Sequence, residues 1–369
     1  MNKKTKSNIF ITGGHLTPLI EVYSKIKDIE DINIYFIGIK HTILFDKAIS
    51  QEYKFAKENN IKFLAIKTGK LYRFLSIKGI LSFFLIAAGF IQSTYYILKY
   101  HPKIIVSFGS YVSLPVSIVG SIKGSTNLTH IQAIIPGLSD RINSKFAKYT
   151  FISWRETEKY LKTNGEIIYT GNIVRKEIFN NKGNTFNLNN TLPILYVTGG
   201  NQGSHAINEL IFQNLKTLLK KYNIVHQTGS NTIYNDFEKA INYQKKFANE
   251  KGIYIPKTGI WNNEIGEILN KSDLVIGRSG ANSVYEILLL SKKAILIPLP
   301  NSAYNEQMEN AKIAKNLSKN IVILEEKEIT NDIFLQKIDN IIEQKQIKNS
   351  LNLPENAELT IIKYILKSY

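Results

Sequence analysis

Arg278, Ser279 and Gly280 form a polar turn between a short apolar run, Leu274 to Ile276, and a segment of helical composition, Ala281 to Leu290. The run is β-branched at its centre and flanked by turn residues, as expected of a buried parallel strand. A helix that starts directly after such a strand offers unpaired backbone N–H groups and the positive end of its dipole, which suits a diphosphate. Glu286 falls about two turns into that helix. A carboxylate there could accept hydrogen bonds from both hydroxyls of a ribose, although a lone Glu is more often a solvated helix residue.

Two other corners repeat the pattern. The strand Asn8 to Ile11 breaks at Thr12, Gly13 and Gly14 and enters a helix near Pro18, with His15 at the corner. Paired glycines let a backbone approach a ligand closely, and Pro favours the first helical turn. Taken alone TGGH is a weak motif that more often marks a structural turn, and no G-x-G-x-x-G fingerprint is present. The strand Pro193 to Thr198 empties into Gly199, Gly200, Asn201, Gln202 and Gly203, followed by a helix carrying Ile207, Leu210 and Ile211. The chain therefore has two similar halves, each opening with a strand and a glycine-rich turn. Ligands of open α/β sheets bind outside the carboxyl ends of such strands, so two doubly wound domains facing a cleft is the expected architecture.

The length of 369 residues also favours two domains. The Asn-rich stretch Asn180 to Thr191 is expected to be a junction or surface loop, and Thr170-Gly171-Asn172 is an alternative hinge. No solenoid period is visible. Charge is unevenly spread. No carboxylate occurs between Glu58 and Asp140, whereas Lys62, Lys67, Lys70, Arg73, Lys78, Lys99, Lys103 and Lys123 lie in that stretch, so most of the +17 net charge falls in the N-terminal half. Such a surface attracts anionic headgroups, nucleic acid or a pyrophosphate. Without a zinc-knuckle spacing, an aromatic RNA-binding box or a basic heptad helix, nucleic acid is not expected as a partner.

Within this basic zone Ile80 to Ile91 is almost wholly apolar. About twelve residues are too few for a bilayer core, which needs roughly twenty. The run is expected to be a helix that is either buried or partly open to lipid, and the basic residues beside it favour peripheral attachment to an anionic membrane surface. There is no cysteine, and the histidines show no metal-ligand spacing. The basic start before Asn8 leads straight into a glycine turn without a signal-peptide core, so a cytoplasmic location is expected.

In order along the chain, TGGH, SFGSYVSLP (Ser107 to Pro115), HIQAIIPGLSDR (His130 to Arg141), TGNIVR (Thr170 to Arg175), GGNQGSHAIN, and RSGANSVYEI with NEQMENA resemble the MurG family. The resemblance covers nearly the whole chain. It implies a GT-B fold of two Rossmann-like domains, residues 1–169 joined by a C-terminal helix 355–369 on the acceptor and membrane side, and 170–354 on the UDP-sugar side. The implied reaction is inverting transfer of N-acetylglucosamine from UDP-N-acetylglucosamine (UDP-GlcNAc) to undecaprenyl-linked lipid I. It would take place at the cytoplasmic face of the membrane and yield lipid II for peptidoglycan. No cofactor is implied, since UDP-GlcNAc is a substrate and a divalent cation is at most a stimulant.

Carried over by position, the family pattern makes Thr12, Gly13 and Gly14 a phosphate-touching loop and His15 the candidate base, with holding a phosphate or capping the turn as its other reading. Arg175 would grip the donor pyrophosphate with the turn at Asn201 and Gln202. Ser279, Gly280, Ala281, Asn282, Ser283, Val284, Tyr285 and Glu286 would hold phosphate and ribose, Gln307 the sugar hydroxyls, and backbone near Trp261 and Asn262 the uracil. Tyr111, His130 and Gln132 would face the acceptor.

The chain departs from the family pattern at several places. Ile131 and Ala133 stand where the family has a carboxylate and an amide in HEQN, and Phe10 and Ile11 where it has two more glycines. Asn201 replaces a serine, Ile173 a proline and Ser110 a glycine, and Glu306 stands beside Gln307. Donor binding is the safer inference, and acceptor choice stays open. A transferase to another lipid such as a diacylglycerol and a noncatalytic UDP-sugar-binding partner both remain. A UDP-GlcNAc 2-epimerase is disfavoured because few carboxylates lie near the first glycine turn.

Overall fold

The computed structural model describes residues 6–41, 49–69, 77–180, 183–188, 190–261, 263–348 and 351–369. Lys70, Arg73 and Asn262 lie outside the described residues. The chain divides into two compact units, Met1–Ile173 with Pro354–Tyr369, and Val174–Leu353. The division falls just past Thr170-Gly171-Asn172, and the Asn-rich stretch from 180 lies inside the second unit.

In the first unit β1 (Ser7–Gly13), α1 (Leu16–Ile26), β2 (Ile32–Gly38), α2 (Gln51–Glu58), β3 (Lys62–Ala65), α3 (Ile77–Tyr100), β4 (Ile104–Phe108), α4 (Ser113–Ile122), β5 (Thr126–Ile131), α5 (Leu138–Phe146), β6 (Tyr149–Ile152) and β7 (Glu166–Tyr169) follow one another. The strands pair in parallel in the order β3-β2-β1-β4-β5-β6-β7. The order reverses between β1 and β4, so the turns after those strands leave on either side of a crevice at the carboxyl edge.

Strand β1 extends beyond the expected Asn8 to Ile11, by one residue before it and two after. Phe10 and Ile11, which stand in place of family glycines, lie within it and are fully buried. Alternation sends Ile9 and Ile11 to one face with Leu19, Val22, Phe36 and Val106, and Phe10 to the other with Ile37, Ile105 and Val116. Helices cover both faces, which is why the strand is apolar throughout. The apolar run lies inside the longer helix α3, of 24 residues. Ile97 anchors it in the core while Phe83, Phe84, Ile91, Tyr95 and Leu98 are exposed. Among the described residues no helix is long and apolar enough to cross a membrane.

The second unit contains β8 (Ile194–Thr198), α6 (His205–Leu218), β9 (Asn223–Gln227), α7 (Asp236–Lys246), β10 (Tyr254–Lys257), α8 (Asn263–Lys271), β11 (Leu274–Gly277), α9 (Ala281–Leu289), β12 (Ala294–Leu296), α10 (Glu306–Leu317), β13 (Ile321–Ile323) and α11 (Asn331–Glu343). Its sheet is again parallel, in the order β10-β9-β8-β11-β12-β13, with the reversal between β8 and β11. Its core joins Leu195, Val197, Ile211, Leu215, Ile276, Ile295 and Phe334.

The last helix, α12 (Ala357–Ser368), returns to the first unit. Ala357, Ile361 and Ile365 are fully buried against the cluster of Leu19, Val22 and Ile26. Tyr369 donates its hydroxyl to the Asp31 carbonyl at 2.5 Å, tying the chain end to the loop before β2. Truncating Ile361 to Ala should therefore cost about 3 kcal/mol through a buried cavity. Calorimetry of Ile361→Ala should show the transition of the first unit lowered and that of the second unchanged, although α12 follows the second unit in sequence.

Candidate active site

The reversal point of the second sheet is where side chains of the second unit gather. A cavity of about 520 Å³ opens there, lined by Arg175, Tyr196, Gln227, Ser283 and Glu286 with Gly200 and Asn201 of the glycine turn. Arg175 and Glu286 form a two-pronged pair, with Nε donating to Oε1 at 2.9 Å and a terminal nitrogen donating to Oε2 at 2.8 Å. Glu286 is therefore a buried, paired carboxylate at 3% exposure, not a solvated helix residue. Desolvation works against the guanidinium charge, but Glu286 outweighs it and raises the Arg175 pKa above its ordinary value. The fork uses two of five guanidinium donors and leaves lone pairs on both carboxylate oxygens, so the pair can still bind phosphate on one side and hydroxyls on the other.

Tyr196 and Gln227 floor this cavity. The Tyr196 hydroxyl donates to Gln227 Oε1 at 2.8 Å, and Gln227 Nε2 donates to the Gly200 carbonyl at 3.2 Å, so the strands hold the first glycine turn of this unit in place. Burial pushes the Tyr196 phenol up to about 12, which keeps it a neutral donor. The second turn is held by Arg278, which donates to the Ile297 and Pro298 carbonyls at 3.1 and 3.2 Å and to Ser204 Oγ at 2.7 Å. It also pairs with Glu326. Arg278, directly after β11, thus ties the segment following β12 to the start of α6, a role that no local pattern signals.

Helix α9 begins at Gly280, which has no side chain in the way and no other heavy atom within 4 Å of a Cβ built there. No side chain caps this N-terminus and its first turn holds no acidic residue. Unlike Ala281, Asn282 and Ser283, which are partly exposed, Val284 and Tyr285 are fully buried. Their side chains belong to the core, because helical periodicity turns them away from the open face, and only their backbone could serve a ligand. Ser279 is also buried and donates its hydroxyl to the Gln307 carbonyl at 2.7 Å, while Asn310 donates to the Ser279 carbonyl at 3.0 Å. Ser279 therefore fastens α10 to the turn. Gln307 accepts from the Leu299 N–H at 2.9 Å through Oε1, which orients its amide and leaves Nε2 as the outward donor. Asn201 and Gln202 are exposed at the tip of their turn.

In the first unit, Gly13 has φ of +144° and its Cβ position would fall 2.9 Å from Phe108 backbone atoms, so the turn requires glycine. Gly14 and His15 are exposed beyond it. Gly13, Gly14 and Tyr111 line a second cavity of about 620 Å³ with Ile37, Phe63 and Glu52. Although partly open to solvent, His15 is flanked closely enough that desolvation lowers its pKa from the ordinary value, which favours the neutral imidazole. Thr12, by contrast, is fully buried, and its hydroxyl does not reach the loop surface.

His130 and Gln132 do not face the outside as expected, at 1% and 5% exposure. His130 Nε2 lies 3.3 Å from the Gly171 carbonyl, which makes it the protonated nitrogen, and the same atom lies 3.3 Å from Ser153 Oγ. Ser153 in turn donates to Asn172 Oδ1. The Gln132 carbonyl accepts from Trp154 Nε1 at 3.1 Å. His130 thus braces the segment where the first unit ends, and Gln132 anchors Trp154 through its backbone carbonyl. His130 lies in β5, an interior strand of a sheet whose faces are covered by helices, and Gln132 follows directly after that strand.

Among the described residues one group could offer metal ligands, His205, Glu209 and Asp236. Lys239 already pairs with Glu209 at 2.5 Å and Asn208 donates to Asp236 at 2.7 Å, so the cluster is satisfied as an ion-pair network.

The chain matches the glycosyltransferase family 28 N-terminal domain over residues 12–152 and the C-terminal domain over residues 194–363. A Borrelia garinii protein called UDP-N-acetylglucosamine--N-acetylmuramyl-(pentapeptide) pyrophosphoryl-undecaprenol N-acetylglucosamine transferase is 33% identical over 94% of this chain and 91% of its own length. The chain belongs to the MurG family. The crystal structure of Acinetobacter baumannii MurG superposes with a TM-score of 0.70 at 19% identity, covering 98% of this chain and 99% of that one. This MurG likeness establishes the GT-B fold. A UDP-GlcNAc 2-epimerase from Methanocaldococcus jannaschii shares the fold at a TM-score of 0.62 and 14% identity over 98% and 99% of the two chains, a likeness of architecture alone.

Desolvation, opposed by the Gly171 hydrogen bond, lowers His130 to about 4. An unfolded chain with His near 6.5 takes up its proton first as pH falls, so stability holds above about 6.5 and is lost as pH drops toward about 4. The loss assigned to this group is about 3 kcal/mol. Urea midpoints measured between pH 7 and pH 4 should fall less steeply in His130→Gln than in the wild type.

Proposed function

We infer that this enzyme moves N-acetylglucosamine from UDP to an undecaprenyl-pyrophosphoryl N-acetylmuramyl-pentapeptide, lipid I, forming lipid II by single displacement with inversion. The observation that carries the reading is 33% identity over 94% of the chain to a transferase of that name, with Arg175 and Glu286 forked at the sheet reversal. In this reading the donor diphosphate lies between the exposed N-terminus of α9 and the free donors of Arg175. Their positive potential then takes up the charge of the departing UDP without a metal or other cofactor. The outer lone pairs of Glu286 receive the ribose hydroxyls, and Gln307 Nε2 donates to the sugar. Neutral His15 takes the proton of the attacking hydroxyl, with Gly13, Gly14 and Tyr111 beside the acceptor.

Transfer of radiolabelled N-acetylglucosamine from UDP-GlcNAc to a short-chain lipid I analogue in EDTA tests this directly, with a diacylglycerol in parallel. Ile131, an apolar residue in the acceptor segment, makes the second acceptor a real alternative. Transfer to diacylglycerol alone would replace lipid I in the reading, and no transfer to either would leave a noncatalytic donor-binding protein. Arg175→Ala should weaken UDP-GlcNAc binding by about 2 kcal/mol in calorimetry, the worth of charged hydrogen bonds to phosphate.

We place the enzyme at the cytoplasmic face of the membrane, held peripherally. Support comes from the exposed Phe83, Phe84, Ile91, Tyr95 and Leu98 of α3, with Lys99 on the same helix. Apolar insertion plus attraction to anionic headgroups is the two-signal combination that anchors reversibly. Sedimentation with vesicles should show binding that rises with anionic lipid, falls with salt, and drops in a Phe83→Ser/Phe84→Ser variant.

A further inference from the structure

Three neighbouring strands of the first sheet, β1, β4 and β5, end in turns that converge on one point. His15 follows β1, Gly109 follows β4, and Asp140 lies in the first turn of α5 after β5. A Cβ built on Gly109, where φ is +76°, would stand 2.7 Å from Asp140 Oδ1 and 3.5 Å from His15 Cδ2. The carboxylate and the imidazole therefore pack against the same glycine, no further apart than the sum of those two distances. Gly109 is the residue type that permits this, since any side chain would enter the space between them.

We propose that Asp140 is the positioning residue of His15, its carboxylate stabilising the imidazolium that forms when His15 accepts the proton of the attacking hydroxyl. The proposal rests on the reading of the chain as a sugar transferase with His15 as its base. In the step, the acceptor oxygen bonds to the anomeric carbon and the bond from that carbon to the UDP oxygen breaks. The electron pair leaves on UDP and the hydroxyl proton passes to His15. Asp140 stays ionised throughout, as the partner of a histidine base does.

Two independent facts support the assignment. Asp140 is the first carboxylate after Glu58, and it falls at this corner of an otherwise basic stretch. A negative charge there works against attraction of an anionic lipid, so its presence calls for a local task. The carboxylate of the family segment is replaced by Ile131, which is 1% exposed, and no acidic side chain stands at that position. The other groups around His15 in this unit do not substitute for Asp140. His130 is held neutral by burial, and Tyr111 lies two residues past Gly109 in the same turn. Arg141, next to Asp140, directs Nε to the Pro136 carbonyl at 2.9 Å and sets its guanidinium over the Tyr160 ring.

Proton NMR titration of His15 and the pH profile of kcat, both on the full chain, test the proposal in wild type, Asp140→Asn and Asp140→Glu. A carboxylate favours the imidazolium, so its removal in Asp140→Asn should lower the His15 pKa by about half a unit or more. The acid limb of the kcat profile should move to lower pH by the same amount, with the plateau reduced about tenfold and UDP-GlcNAc affinity unchanged. Asp140→Glu should restore most of both. An unchanged His15 titration in Asp140→Asn overturns the proposal whatever the activity, as does a rate loss without movement of the limb. Absence of transfer in the wild type would overturn the transferase reading instead, and the titration would still decide whether Asp140 acts on His15.

Discussion

A carboxylate buried as deeply as Glu286 must be paired, because an unpaired charge in such a place costs several kcal/mol. Its partner is Arg175, two residues into the second unit. The fork fastens the point where the chain enters this unit to α9, the helix that follows the reversal of the sheet. It also fixes the plane of the guanidinium at the cavity mouth. Arg278 repeats the device, joining the turn after β11 to the segment after β12 and to the start of α6. With both arginines held, the turn at Gly200 and Asn201 and the first turn of α9 at Ser283 line one cavity. That arrangement suits the proposed diphosphate better than a site of flexible lysines would, because little rearrangement is needed on binding.

The first unit meets a different constraint. Its corners must pack closely enough that glycine is required at Gly13, and again at Gly109 where imidazole and carboxylate meet. The extra glycines of the family loop are absent, and Phe10 and Ile11 extend the strand into the core instead. The turn that remains is shorter and more tightly held.

Much of the organisation was legible in the residues. Each strand emptying into a glycine turn lies at a sheet reversal, and the short apolar runs, the Pro18 start of α1 and the polar turn at 278–280 mark those corners. These are local signals, carried by backbone sterics and by hydrogen bonds between near neighbours. The candidate residues divide accordingly. Arg175, Glu286, Gln307 and His15 stand at their expected corners, whereas Val284, Tyr285, Ser279 and Thr12 are core or bracing residues. A motif lists consecutive letters, but a helix shows a ligand only the letters on one face.

By itself, then, the sequence determined the family, the two parallel-sheet units, the positions of the glycine turns and the identities of the charged residues beside them. Only the tertiary structure decided which of those residues come together. Arg175 and Glu286 are 111 residues apart, and Asp140 and His15 both pack against Gly109 although they follow different strands. Such pairings depend on strand order and on which face a side chain takes, and those follow from burying the whole core at once. For the same reason His130, polar and set in a recognisable motif, became a buried brace for Gly171: its strand lies inside a seven-stranded sheet, and no run of neighbouring letters records that.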